Sequence, residues 1–225
     1  EYVNPTHGYI ESNGYLSLVS TRAGTAQLRK SEGAGSIIGK VVFQRFIPRG
    51  KQTRYLSFPV SGGSVSELQK SIPVTGKFNG ANTGNGLSSA PSLHYYDDVA
   101  GGWVPYPVAS NAETLQPGKG YSLFIHDGSR DTKVVVTGAV HQGEYTYTLT
   151  PNEENDPGRG WSLIGNPFAA PMQWNTEAWT IHGTGPAAYV LDDTYPGGRF
   201  LIWDGEVGDA EFQGLITQGQ AFFVR

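Results

Sequence analysis

An all-β fold, organised as a tandem duplicated antiparallel β-sandwich with two related units of about 95–100 residues, is predicted by three observations. Short β-branched and aromatic runs recur along the chain, each bounded by Gly, Pro, Asn or Asp. Gly and Pro supply 31 and 14 of the 225 residues, whereas helical periodicity is confined to residues 64–71, between Gly63 and Pro73. Four sequence matches recur in the same order at offsets of about 95 to 108 positions.

In chain order, the strand pattern falls at 14–20, 36–46, 54–58, 93–96, 121–126, 133–140, 145–149, 161–164, 188–191, 199–203 and 220–224. The first match aligns Ile37-Ile38-Gly39-Lys40-Val41 with Val136-Thr137-Gly138-Ala139-Val140. In the second, Tyr55 leads a strand closed by Pro59, as Trp161 leads one closed by Pro167; proline forbids further ladder donation. The third sets Tyr95-Tyr96-Asp97-Asp98 with Gly101-Gly102 against Val190-Leu191-Asp192-Asp193 with Gly197-Gly198, two hairpin connections in which Gly supplies positive φ. The last aligns Gln116-Pro117-Gly118-Lys119 before Tyr121 with Thr217-Gln218-Gly219-Gln220 before Phe222, turns into a final apolar strand.

These matches divide the chain into residues 1–35, the tail of an upstream module or an added edge strand, and two repeats, 36–128 and 129–225. Two tandem sandwiches are the expected arrangement; one larger sandwich with an equivalent sheet from each half is the rival. Tyr55 and Trp161 are expected to point inward together, and Tyr121 and Phe222 to share a core-strand environment.

Composition narrows the function. Charged residues are 16% and the net charge is −4, which gives no basic excess for nucleic acid. No apolar run reaches the roughly 20 residues of a membrane span. The absence of cysteine excludes disulfides, Cys-ligated zinc and a thiol nucleophile. Residues 1–80 are net basic and 81–225 net acidic, a split expected to reflect two solvated surfaces rather than attraction between halves. The abrupt opening at Glu1-Tyr2-Val3-Asn4 reads as a piece of a longer polypeptide.

A non-catalytic chain is expected. The five histidines are isolated, and no HExxH, Gly-x-Ser-x-Gly or Ser-x-x-Lys element occurs. Asp97-Asp98 and Asp192-Asp193 are adjacent pairs, and neighbours on a strand point to opposite faces, so neither pair jointly flanks a glycosidic bond. Asp204, Glu206, Asp209 and Glu211 place four carboxylates in a Gly-containing loop and are the candidate ligands for structural calcium; no other cofactor is expected. Asn152-Glu153-Glu154-Asn155-Asp156 reads as a solvated connection. Trp103, Tyr106, Trp179 and Trp203 lie near hairpin ends or among polar neighbours and are the candidates for stacking on a sugar ring.

Gly160-Trp161-Ser162-Leu163-Ile164-Gly165-Asn166-Pro167-Phe168 with Gln173-Trp174-Asn175 resembles a recurrent motif of large secreted surface proteins of Bacteroidota. Arg45-Phe46-Ile47-Pro48 through Val60, and the closing Gly219-Gln220-Ala221-Phe222-Phe223-Val224, extend the likeness over about residues 36–225. It implies similarity to type IX secretion cargo: adhesins, hemagglutinin-like proteins and accessory regions of polysaccharide-degrading enzymes. The resemblance carries no catalytic residues. The expectation is a secreted or cell-surface accessory module for spacing, adhesion or protein contact, partnered by neighbouring modules of its own polypeptide. The alternative is a carbohydrate-binding module that recognises a polysaccharide or cell-surface glycan.

Overall fold

The computed structural model describes residues 2–3, 7–29, 35–50, 52–150 and 159–225. The acidic connection expected at 152–156 lies outside the described residues. The chain is all-β. Its first strands are β1 (Tyr2–Val3), β2 (Tyr9–Glu11), β3 (Leu16–Leu18), β4 (Ser20–Thr21), β5 (Gly24–Thr25), β6 (Gln27–Leu28), β7 (Ser36–Ile38) and β8 (Lys40–Ile47). β9 (Thr53–Leu56), β10 (Val60–Ser61), β11 (Leu93–Asp97), β12 (Gly102–Pro105), β13 (Tyr121–Phe124) and β14 (Thr132–Val140) follow. The last are β15 (Ser162–Gly165), β16 (Met172–Gln173), β17 (Ala188–Asp192), β18 (Arg199–Trp203), β19 (Leu215–Ile216) and β20 (Ala221–Val224). Among the described residues the single short helix, α1 (Val65–Leu68), sits in the segment 64–71 and is capped by Ser64, whose Oγ accepts from Glu67 N at 3.4 Å.

Three four-stranded sheets dominate, ordered β10-β14-β8-β3, β12-β11-β13-β9 and β15-β20-β17-β18. The first two face each other across the larger core. Val41, Phe43 and Ile47 of β8, Val134 and Val136 of β14 and Leu18 of β3 alternate inward to meet Leu56, Leu93, Tyr121 and Leu123. The second core lies on the far side of the third sheet, where Ile164, Val190, Phe222 and Val224 meet Trp174, Phe212 and Ile216. Between the second and third sheets lies a layer of rings: Phe223 contacts Tyr55, Tyr96, Trp103, Trp161 and Phe200 at centroid distances of 5.1–6.1 Å.

The second and third sheets share one strand order and one register. Tyr121 faces Leu56 where Phe222 faces Ile164; His94 faces Ser122 where Tyr189 faces Phe223; Asp97 faces Gly102 where Asp192 faces Arg199. The two sheets also bond reciprocally. Ser57 N donates to Gly219 O at 3.0 Å and Gly165 N to Gly118 O at 2.8 Å. Gly118 and Gly219 both have φ +73° at the third position of hydrogen-bonded turns, the left-handed conformation that favours glycine. A Cβ on Gly165 would lie 2.3 Å from the Ser57 Cβ, so glycine permits this close approach.

Several expectations need correction. By register, the counterpart of Tyr55 is Leu163 and not Trp161; a shift of two residues keeps the side chain on the same face, and both rings still reach the aromatic layer, half-buried. Gly39 turns the chain at φ +87° between β7 and β8, while Gly138 lies inside β14, so this pair does not share an environment. Residues 145–149 alternate like a strand but join no ladder. The division at 128/129 falls before β14, which pairs with β8 from Thr132 to Ala139 and contributes to the larger core. β3 is an edge strand parallel to β8. The basic and acidic regions are joined by ion pairs, Arg22–Asp131 and Arg54–Asp193. Among the described residues no helix is long and apolar enough to cross a membrane.

Phe222→Ala, at a fully buried ring, is expected to cost about 3–5 kcal/mol in chemical denaturation, and Trp161→Ala, at a half-buried one, under half of that. Equal costs would place Trp161 in the core instead.

Candidate functional site

The four aromatic candidates are not brought into one platform. Trp103, 41% exposed on β12, belongs to the layer between the sheets and packs on Tyr55 and Tyr96 at 5.5 and 5.4 Å. Its counterpart by register is Phe200, 45% exposed. Tyr106 packs on Tyr95 and Tyr121, and its hydroxyl donates to Thr114 O; burial, with Glu113 adding to it, pushes that hydroxyl up to about 12. Trp179 stacks on Tyr147, packs on Trp174 and donates Nε1 to Gln173 O at 2.7 Å. Trp203, the last residue of β18, is half-buried against the second core.

The calcium candidates are likewise dispersed. Asp204 Oδ1 accepts from Glu206 N and Val207 N at 2.9 and 2.7 Å, which closes the loop on itself. Asp209 Oδ2 accepts from Ile202 N, and Glu211 pairs with Arg199 at 3.1 Å. Among the described residues no group of three or more His, Asp or Glu side chains could hold a metal ion.

The chemistry that does gather lies at the ends of the two corresponding hairpins, and it differs between them. Behind β17, Asp192 pairs with Arg199 (Nε–Oδ2 3.0 Å), and Asp193 pairs with Arg54 of β9 (Nη1–Oδ2 2.8 Å). The Arg54 side chain is only 4% exposed. Beside it Arg45 Nη1 donates to Thr217 Oγ1 and Gln218 O at 2.9 and 2.8 Å. Burial pushes the Asp193 carboxyl up, against the pull of the Arg54 guanidinium.

Register places Gly102 at the Arg199 position and Ser162 at the Arg54 position of the other hairpin. Tyr145 Oη donates to Pro117 O where Arg45 bonds Gln218 O. Beside Ser162 and Tyr145 the space is open: a groove of ≈ 430 Å³ lies between the end of β11, the turn 116–119, residues 145–149 and β15. Asp98 Oδ2 accepts from Thr150 N and Ser162 Oγ at 3.1 and 3.2 Å. Burial works to raise that carboxyl, but the bonds from Thr150 and Ser162 outweigh it and hold it below the usual range. Lys119 Nζ stands 3.6 Å from the centre of the Tyr95 ring; burial lowers its pKa, and Asp97 and Asp98 oppose that. Sequence reasoning missed this groove because four separated segments build it. The readable signal was the mismatch within the repeat, where Arg54 and Arg199 have no basic counterparts.

Arg54→Ala is expected to cost about 3 kcal/mol, since it leaves Asp193 without its partner, and Arg54→Met with Asp193→Leu to recover most of it. A double-mutant cycle in urea measures the coupling. Asp98 has a depressed pKa, so its contribution is present at neutral pH and is lost as pH falls through the ordinary carboxylate range and below. Asp98→Asn is therefore expected to show a smaller fall in melting temperature between neutral and acid pH than the parent chain.

No protein-family model, no curated protein and no solved structure matches this chain.

Proposed function

We propose that the chain is a non-catalytic accessory module of a secreted cell-surface protein, serving spacing, adhesion or protein contact. The observation that carries this reading is the joining of three sheets into one body. The ring layer around Phe223, the reciprocal bonds of Ser57 and Gly165, and the pairing of β14 with β8 all link residues far apart in sequence. A body joined in this way holds its neighbours at a fixed separation, which suits a spacer or a contact platform. The carboxylates also speak for a structural role. Asp97 and Asp204 each accept two backbone N–H groups, and Asp192 and Asp193 hold arginines. The resemblance of the 160–168 and 219–224 segments to surface-protein motifs supports export.

A second reading, carbohydrate binding, is favoured by one feature, the polar groove beside Asp97 and Lys119.

A single-body spacer is expected to unfold in one step. Tryptophan fluorescence and far-ultraviolet circular dichroism should give coincident melts, and cleavage near 129–131 should leave the two fragments associated. Two separate transitions, or two independently folded fragments, would overturn the spacer reading; turnover of a polysaccharide by the purified chain would overturn the non-catalytic one.

A further inference from the structure

The groove at the end of β11 is an opening where, at the end of the corresponding hairpin, arginines of β8, β9 and β18 gather. There Arg45, Arg54 and Arg199 occupy the space around Asp192 and Asp193. Here Ser162 stands at the Arg54 position and Tyr145 makes the turn-carbonyl bond that Arg45 makes there, and ≈ 430 Å³ beside them is open, within the size range of small-ligand sites. Here Asp98 is met by Thr150 N and Ser162 Oγ and the Tyr95 ring by Lys119, and among the described residues no arginine lines the space.

The geometry points to this groove as a binding site for a neutral saccharide, an assignment that rests on the carbohydrate-binding reading above. Its walls carry both halves of what a sugar needs. Asp97 and Asp98 accept from hydroxyl groups, while the Lys119 ammonium and the Gln116 amide donate to them. Lys119 is poised to do so: it makes no ion pair among the described residues and is held against the Tyr95 ring. Tyr95 and Tyr96 add apolar surface for the C–H face of a pyranose. Thr146 and Thr148, both exposed, offer further hydroxyls along the open side. Charge selects among sugars. Two carboxylates against one ammonium repel uronates and sulfated glycans and admit uncharged ones.

The test is calorimetric and nuclear magnetic resonance titration of the full chain with cellohexaose, xylohexaose, mannohexaose and hexagalacturonate. Two variants accompany it. Ser162→Arg restores the guanidinium of the corresponding hairpin and fills the groove; Lys119→Met removes the donor but keeps a flexible stem beside Tyr95. Melting curves verify that each remains folded, and Lys119→Met carries the test if Ser162→Arg does not fold. At least one neutral hexasaccharide is expected to shift resonances of the groove residues. Each folded variant is expected to weaken it tenfold or more, and hexagalacturonate to bind at least tenfold more weakly. Saccharide binding that the folded variants leave intact would overturn the groove assignment while the carbohydrate reading stands. Tighter binding of hexagalacturonate would overturn the neutral class. No binding of any of the four would overturn both the assignment and that reading.

Discussion

Phe223 is the point on which the architecture depends. Five rings from five other strands or their flanks close around it: Tyr55, Tyr96, Trp103, Trp161 and Phe200. The need for such a layer follows from the sheets themselves. Each of the two sheets that meet here already covers a core with its other face, so the shared face is a second apolar surface that water must leave. Edge-to-face ring contacts fill that gap, and their partners lie far apart in the chain. The glycine at position 165 and the small Ser57 opposite it let the backbones come close enough to exchange hydrogen bonds beside the rings.

Much of this fold was legible in the sequence, and the failures have physical causes. The strands at 188–191 and 199–203 read correctly because hairpin partners lie close in sequence and Gly197-Gly198 marks the connection. The turns before Tyr121 and Phe222 read correctly because positive φ has a glycine signature. The partner of β14 did not, since a ladder between residues 132–139 and 40–47 depends on tertiary packing that no local pattern encodes. Residues 145–149 mislead for the opposite reason. Tyr-Thr-Tyr-Thr alternation supplies a strand's two faces, yet here Tyr145 and Tyr147 spend their hydroxyls on Pro117 and Gly165 carbonyls and the segment lies outside the ladders.

The candidate site was the least legible part. A prominent tryptophan in a hairpin suggests a platform, but Trp103 and Trp203 cover apolar surface that the folded chain itself creates. Four acids in one loop suggest calcium, but Asp204 and Asp209 are taken up by local backbone N–H groups. The difference between the two hairpins is informative instead. Side chains at corresponding positions face the same surroundings, so a serine in place of the buried Arg54, or a glycine in place of the half-exposed Arg199, changes what the surroundings require. At one end the requirement is met internally by Arg54 and Arg199; at the other, Asp97, Asp98 and Lys119 remain beside an open space.

The position of β20 has a consequence for the order in which the molecule is assembled. Ala221–Val224 lies inside its sheet, between β15 and β17, and carries both Phe222 of one core and Phe223 of the ring layer. β15 and β17 are thus held together only through a strand that follows both by some thirty residues or more. A chain threaded through a pore or a ribosome with its amino end first can complete the β8–β14 sheet while later residues are still arriving. The third sheet must wait for those four residues. Until then β15 and β17 present unpaired edges, and delivery of Phe222 and Phe223 closes the sheet, its core and the ring layer in one event.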